Sequence, residues 1–292
     1  MTQQSFPRQL LILTTDSVIA GTERMILAYL QRHDPSRYKP ALATLTGPGD
    51  LVNAAKEMGI DAYRLADGSP LSVSFEMRRL IVKLQPQIVH SYLFHTNILS
   101  RLLRPFTPMP KLICGMRSVY FPGAYPWWYH WADAVTHRLC DRFIANSNAG
   151  RDSLVKMAGI PHHKIRVVPN GIDVDSFEWN RNECRARLVM KYSLPDNAFL
   201  LGIIAQLRPR KHHSLLFQAF QPIAHKEPRA HLLVVGDGVE RNNLIALREQ
   251  LGLKSQVVFA GYRPDVPQIL AALDAFVLPT SLEGSPVSVM EA

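Results

Sequence analysis

The chain has 292 residues, 47% hydrophobic and 20% charged, with a formal net charge of +9. That balance excludes a disordered protein and leaves room for about two domains. No apolar run approaches the ~20 residues that span a bilayer. The opening "MTQQSFPRQLLILTTDS" breaks too early for a secretory signal and has no small-residue cleavage pattern, so a soluble, cytoplasmic chain is expected. Cys114, Cys140 and Cys184 are odd in number, far apart and in no CxxC spacing; this disfavours a disulfide framework or zinc knuckle and leaves buried free thiols. The first 178 residues carry +6 and the rest +3. A basic surface suits nucleic acid, anionic lipid or a phosphorylated substrate. With no dense Lys/Arg run, nucleic acid is not expected as a partner.

In chain order, "RQLLILTT" is a short apolar run read as a buried strand. "GTERMILAYLQRH" follows as a helix with Met25, Ile26, Tyr29 and Leu30 on one face and Thr22 as its cap. "YKPALATLT" reads as a strand and "DLVNAAKEMG" as a helix closed by Gly59. "SFEMRRLIVKLQP" is a helix stopped near Pro86, and "QIVHSY" is a strand. A helix around "NILSRLL", the strand "KLICGM", a helix around "WADAVTHRL" and the strand "RFIANS" come next. Ser147 caps a helix over "AGRDSLVKMAG". "KIRVVPNGID" ends the first half with a strand and a turn that marks the domain exit.

The polar stretch "VDSFEWNRNECRARLVMKYSLPDNA" carries no strand and separates the halves. Beyond it, "FLLGIIAQL", "AHLLVVGDG", "QVVFAG" and "AFVLPTS" are strands. They alternate with helices over "HHSLLFQAFQPIAHK", with apolar positions 215, 216, 219, 220 and 223, over "ERNNLIALREQLG" and over "DVPQILAAL". This alternation predicts an α/β chain of two doubly wound domains, 1–178 and 179–292, with parallel sheets and crossover helices. Ligands in such folds sit beyond the C-terminal ends of the strands.

The chemistry is therefore sought at the strand ends. A dinucleotide fingerprint would need GxGxxG after the first strand, and "TTDSVIAGTE" has one glycine, which disfavours an oxidoreductase. "IIAQLRPRKHH" places Arg208, Arg210 and Lys211 at a strand-helix junction, where they suit a diphosphate; the alternative is a solvated basic face. Gly236-Asp237-Gly238 is a tight turn that lets backbone approach a ligand closely, or is simply a turn. In "LPTSLEGSPVSVMEA", Glu283 and Glu291 stand eight residues apart across a Gly-Ser-Pro turn, with Val287 opening a helix. Two carboxylates at that junction suit a nucleotide-sugar, one on the transferred sugar and one on the ribose diol. For Glu283 the competing reading is an acid favoured by the helix dipole.

With these residues in view, the chain resembles the family 4 glycosyltransferases of the GT-B fold. The matching stretches are "GTERMILAYL", "PQIVHSYLFHTN", "DRFIANSNAGRDSLVKMAGIPHHKIRVVPNGID", "LRPRKHHSLLFQAF", "LLVVGDGVER" and the closing segment with its E-x7-E spacing. The resemblance implies two Rossmann-like domains facing across a cleft, an N-terminal acceptor-binding domain (1–178) and a C-terminal nucleotide-sugar-binding domain (179–292). It implies a retaining hexosyltransferase of polysaccharide biosynthesis, moving sugar from a nucleotide-sugar donor to a glycan or lipid-linked acceptor. No cofactor or metal is implied, because basic residues stabilise the leaving diphosphate. On the same footing Lys211 contacts the diphosphate, Glu283 the donor sugar and Glu291 the ribose. Gly21 belongs to a glycine loop near the phosphates, and Gln206, Arg208 and Gly236 line the donor site. Three positions depart from the family pattern. Gln206 stands where an arginine is usual, the N-terminal glycine pair is reduced to Ala20-Gly21, and Arg117 represents a histidine often found after the fourth strand. The family's second domain continues further, so the resemblance implies that this one is incomplete and that the chain is a fragment with little activity alone.

His90, His95 and Arg117 are the acceptor-side candidates. His162-His163 and His212-His213 read as surface pairs, since no HExxH accompanies them. "VYFPGAYPWWYHW" holds seven aromatic residues, read either as a core cluster or as an acceptor platform or peripheral contact with anionic membrane at its inner face. Two other classes remain beside the transferase: an inactive fragment that only binds nucleotide-sugar, and a GT-B enzyme of another reaction, such as sugar-nucleotide epimerisation.

Overall fold

The computed structural model describes residues 7–65, 68–121, 123, 125–281 and 283–292. Residues 1–6 of the opening stretch, Pro122 and Ala124 of the aromatic stretch, and Leu282 of the closing one lie outside them. The chain divides into two compact units, Met1–Gly171 and Ile172–Ala292. The division falls inside the Pro-Asn-Gly-Ile-Asp turn, against 178/179 from the sequence.

In the first unit the order is β1 (Arg8–Thr14), α1 (Gly21–Arg32), β2 (Tyr38–Thr44), α2 (Asp50–Glu57), β3 (Asp61–Arg64), α3 (Pro70–Leu84), β4 (Ile88–Tyr92), α4 (Phe94–Leu103), β5 (Lys111–Met116), α5 (Trp127–Thr136), β6 (Arg142–Ala145), α6 (Asn148–Ala158) and β7 (Ile165–Val167). The seven strands pair in the order β3-β2-β1-β4-β5-β6-β7, every pairing parallel. Strand pleating sends alternate residues of β1 to opposite faces. Leu10 and Ile12 pack with Ile26, Leu30, Leu51 and Val52 from α1 and α2. Leu11 and Leu13 join the other core with Met77, Ile81 and Leu154.

The helix starts follow local capping chemistry. Ser147 Oγ accepts the Gly150 N–H at 3.0 Å, as its spacing predicts. Thr22 does not cap α1: the helix begins at Gly21, and the buried Glu23 carboxylate reaches back to the Ala20 N–H at 3.2 Å. Tyr29, expected on the inner face, is exposed. A buried polar chain stitches this unit together. Ser91 donates to Asn97, Asn97 donates to the Gly115 carbonyl, Arg101 Nε donates to the Asn97 carbonyl, and Arg101 pairs with Asp133. Tyr120 donates to the second Asp133 oxygen at 2.5 Å.

The second unit holds α7 (Arg181–Tyr192), β8 (Phe199–Ile204), α8 (His213–Lys226), β9 (Ala230–Val235), α9 (Arg241–Gln250), β10 (Val257–Gly261), α10 (Val266–Ala272), β11 (Ala275–Phe276) and α11 (Val287–Glu291). Its parallel strands run β10-β9-β8-β11. Phe217, Phe220 and Leu244 of α8 and α9 cover one face against Ile203, Leu232 and Val234. Cys184 and Leu188 of α7 and Ile269 and Ala272 of α10 cover the other against Leu233 and Val235. The inner face of α8 is thus 213, 216, 217, 220 and 224; Leu215 and Ile223, expected inside, are exposed. No helix of the described residues is long and apolar enough to cross a membrane. All three cysteines are buried free thiols.

Candidate functional site

In the second sheet β8 is flanked by β9 and β11, and the strand order reverses between β8 and β11 while every pairing stays parallel. In an open parallel sheet such a reversal leaves a crevice at the strand ends. Two segments meet there. After β8 the backbone runs through Gln206 and Arg208 into a 3-10 turn, Pro209–Lys211, and then His212, whose φ of 52° aims the chain into α8. After β11 comes the stretch carrying Thr280, Ser281 and Glu283. Lys211 Nζ and Glu283 Oε1 form an ion pair. His212 Nε2 meets Ser281 Oγ at 2.7 Å, and Thr280 Oγ1 donates to the Arg210 carbonyl at 3.2 Å. Thr280 Oγ1 also lies 3.4 Å from Glu283 Oε1, the other acceptor within reach of its one proton.

Gly236 follows β9 on the other side of β8. Its φ is 131°, and a Cβ there would lie 2.0 Å from the Ala205 carbonyl oxygen, so only glycine lets the two strand ends approach this closely. The Asp237 carbonyl takes the Leu207 N–H at 3.0 Å, which fixes the course of the chain past Gln206.

The predicted donor residues divide accordingly. Lys211 and Glu283 are brought together, and Gly236 packs against the backbone beside Gln206. Arg208 is exposed and makes no ion pair with any described residue, leaving its fork open to solvent. Glu291 is half-buried at the end of α11. Gly21 belongs to the first unit, opening α1, and a Cβ there would meet nothing within 4 Å; the fold itself makes no steric demand for glycine. His213 is not part of a surface pair: it is 2% exposed, and burial together with the Lys211 charge pulls its pKa down to about 4.

The first sheet reverses between β1 and β4. Thr15 and Thr96 hydroxyls meet across that junction at 2.8 Å. Leu93, between β4 and α4, holds φ 69° and ψ 159°, a strained backbone for a branched side chain. The rings of His90 and Tyr92 of β4 meet at a tilt of 31° with centroids 4.2 Å apart, and the Tyr92 hydroxyl lies 3.2 Å from His90 Nδ1. Burial and the Arg117 guanidinium pull the His90 pKa down to about 4, while burial pushes Tyr92 up to about 12. His90 and Arg117 are thus brought into one charge environment. His95 is exposed on α4, its ring edge-on to Tyr129 at 5.9 Å.

Chemically, Lys211 keeps two N–H donors beyond the one given to Glu283, enough for two oxygens of an anionic leaving group. Glu283 is thereby held in a fixed orientation. No group of His, Cys, Asp or Glu among the described residues could hold a metal ion. A cavity of about 660 Å³ between α7 and α10 is lined by Arg187, Lys191 and Arg263 among others, and by none of the strand-end residues. Sequence reasoning missed Thr280, Ser281, Tyr92 and Glu23. Proximity to the E-x7-E pair could have flagged the first two; nothing in the pattern marks the others.

Comparison with known proteins fits this geometry. Residues 19–176 match the model described as Glycosyltransferase Family 4, and residues 185–292 match Glycosyl transferases group 1. The UDP-Gal:alpha-D-GlcNAc-diphosphoundecaprenol alpha-1,3-galactosyltransferase of Escherichia coli is 27% identical over 223 residues, 73% of this chain and 57% of that protein. The 2-deoxystreptamine glucosyltransferase of Streptomyces kanamyceticus is 31% identical over 196 residues, 61% of this chain and 49% of that protein. The chain therefore spans about half the length of these curated relatives. Among solved structures, HepE of Anabaena in complex with UDP and glucose superposes with a TM-score of 0.85 at 18% identity, over 98% of this chain and 78% of that one. WaaG, a glycosyltransferase involved in lipopolysaccharide biosynthesis, gives 0.73 at 16%, over 97% and 78%. At these identities the structures show the fold alone, and that fold is GT-B. The first match covers more than half of the chain, and with it the chain belongs to Glycosyltransferase Family 4.

Proposed function

We propose that the chain carries the donor and acceptor machinery of a retaining glycosyltransferase that moves a sugar from a nucleotide-sugar to a glycan or lipid-linked acceptor. The observation that carries this reading is the Lys211–Glu283 pair at the β8/β11 reversal. A diphosphate seated there would take the remaining Lys211 donors, and Glu283 would accept a hydroxyl of the transferred sugar. Arg208 would add charge where Gln206 supplies none. Glu291 would accept the ribose hydroxyls. As the sugar-phosphate bond breaks, negative charge grows on the diphosphate, and a fixed ammonium stabilises that change more than the ground state. The same leaving oxygen would take the proton of the incoming hydroxyl, which places attack and departure on one face. No metal is needed in this scheme.

UDP is the first donor nucleotide to try, given the UDP-Gal in the name of the E. coli relative and the UDP in the HepE complex. The diphosphoundecaprenol in that name suggests a lipid-linked acceptor at a membrane face. The exposed Trp127 and Trp131 of α5 are suited to the peripheral contact with anionic lipid that such an acceptor requires.

Saturation-transfer NMR with UDP, GDP and their sugars, followed by nucleotide-release assays, tests the reading. Binding of one nucleotide-sugar with release in the presence of acceptor is expected. Absence of binding by every nucleotide would overturn it. Binding without turnover would leave the nucleotide-sugar-binding alternative, and a donor converted without transfer would indicate epimerisation.

A further inference from the structure

We infer that Arg117, with His90 beside it, anchors an oxyanion on the acceptor, either a phosphoryl group or a sugar carboxylate. The inference rests on the reading of the first unit as the acceptor side.

Among the described residues the buried Arg101 pairs with Asp133, and the half-buried Arg185 and Arg263 pair with Asp274 and with Asp265 and the Tyr192 hydroxyl. Arg117 has no such carboxylate. It stands one residue past the end of β5, half-buried, and its Nε is enclosed with no hydrogen-bond partner. It makes no ion pair with any described residue. Burial pulls its pKa down, partly offset by Tyr92 and Glu23. Glu23 acts on Arg117 only through space: it accepts the Thr14 hydroxyl at 3.4 Å and the Ala20 N–H at 3.2 Å and forms no ion pair with Arg117. A half-buried guanidinium whose Nε is shut away from water without an acceptor is unfavourable unless something supplies one.

His90 feels the Arg117 charge. The Tyr92 hydroxyl and His90 Nδ1 share a hydrogen bond at 3.2 Å whose donor is set by the ring tautomer, so the neutral ring offers Nε2 as a donor in one tautomer and an acceptor in the other. That Nε2 is also enclosed without a partner. Arg117 Nε is a donor whatever the state of the ring. Asn146 Oδ1, next in register past β6, is an enclosed acceptor without a partner, but it is uncharged and does not neutralise the guanidinium. A guanidinium fork suits a phosphoryl or carboxylate oxygen better than a sugar hydroxyl.

The test titrates the 1–292 chain with methyl phosphate, methyl glucuronide and the neutral methyl glucoside by saturation-transfer NMR. The wild type, Arg117→Gln, Arg117→Lys and Lys211→Ala are compared, with UDP binding and melting temperature measured for each. At least one anion should bind the wild type, lose affinity tenfold or more in Arg117→Gln and keep part of it in Arg117→Lys. Lys211→Ala should leave anion binding intact, and Arg117→Gln should leave UDP binding intact. Binding of the phosphate alone names a phosphoryl group of a lipid-linked acceptor; binding of the glucuronide alone names an acidic sugar. If neither anion binds, if Arg117→Gln retains wild-type affinity, or if anion binding is lost only in Lys211→Ala, the inference is overturned. If Arg117→Gln does not fold, Arg117→Lys decides: a reduced but measurable anion affinity supports the inference, and wild-type affinity overturns it. Failure of UDP to bind would sink the proposed donor reading and leave this one standing.

Discussion

Lys211 and Glu283, 72 residues apart in sequence, form an ion pair at the point where the strand order of the second sheet reverses. Both side chains are mostly screened from solvent, at 13% and 21% exposure, so the pair is held more firmly than a surface pair. Lys211→Ala removes a charged donor from the proposed diphosphate position and should weaken UDP binding by about 1.5–3 kcal/mol. His212→Ala removes only the bond to Ser281 and should weaken it less. Calorimetry on both variants checks this; equal UDP and GDP affinities would count against Lys211 as a diphosphate ligand.

Gly236 and Gly252 both have positive φ, 131° and 69°, but differ in surroundings. A Cβ at Gly252 meets nothing, whereas at Gly236 it strikes the Ala205 carbonyl, a backbone atom that cannot swing aside. Gly252→Ala should cost about 1 kcal/mol from conformational strain. Gly236→Ala should cost more, above about 2 kcal/mol, with UDP binding lost in step. Urea unfolding of the pair distinguishes them, and matching midpoints would show that the β8 and β9 ends can move apart.

Asp133 carries the charge opposite Arg101, which is fully buried. Asp133→Ala leaves that guanidinium uncompensated and should destabilise the chain by about 3–5 kcal/mol. Glu249→Ala, which breaks the surface pair with Arg248, should cost no more than about 1 kcal/mol. Denaturant midpoints for both give the comparison.

His213 gives the chain a pH dependence whose sign is fixed. Its pKa is about 4 when folded and near the ordinary 6.5 when unfolded, so between those values the unfolded chain binds more protons. Stability then rises with pH through the window and is lost as pH falls from 6.5 towards 4, by on the order of 3 kcal/mol. His213→Leu should flatten the slope of melting temperature between pH 7.5 and 5. Some slope remains, since His90 and His137 are also depressed. An unchanged slope in the variant would show that His213 is not buried neutral.

The apolar strands were legible because a doubly covered sheet needs continuous apolar runs, as in "LLIL" and "LLVV". β3 was not: "DAYR" has four residues, and Ala62 alone is buried. α7 was hidden for a related reason. Its 12 residues bury only Cys184 and Leu188, and the charges around them read as a linker; Asn180 caps it through its side chain. At the site, composition and spacing named Lys211 and Glu283 separately. Their contact depends on which strand neighbours β8, and sheet order is not written in local periodicity. Arg117 was named as an acceptor-side candidate, but its lack of a carboxylate partner was not legible, because that depends on which carboxylates the fold sends elsewhere.

The aromatic stretch separates into two populations. Tyr120, Tyr125 and Tyr129 pack with the first core, Phe94 stacks on Tyr129 with centroids 3.7 Å apart, and Trp128 packs edge-on to Phe94. Trp127, Trp131 and Val135 are 75%, 58% and 53% exposed. Their spacing of four residues sets them on one outer face of α5, and the exposed Arg138 follows the helix. An apolar stripe ending in a cation is the pattern of a helix lying in the headgroup region, with its indoles at the boundary. The core tyrosines are not part of that face, so Trp127→Ala combined with Trp131→Ala should leave the melting temperature within a degree or two of wild type. Sedimentation with phosphatidylglycerol-containing vesicles should fall about tenfold, with little binding to neutral vesicles in either case. If the double variant sediments like wild type, the stripe does not contact lipid. If instead it loses its cooperative melt, the two indoles belong to the fold.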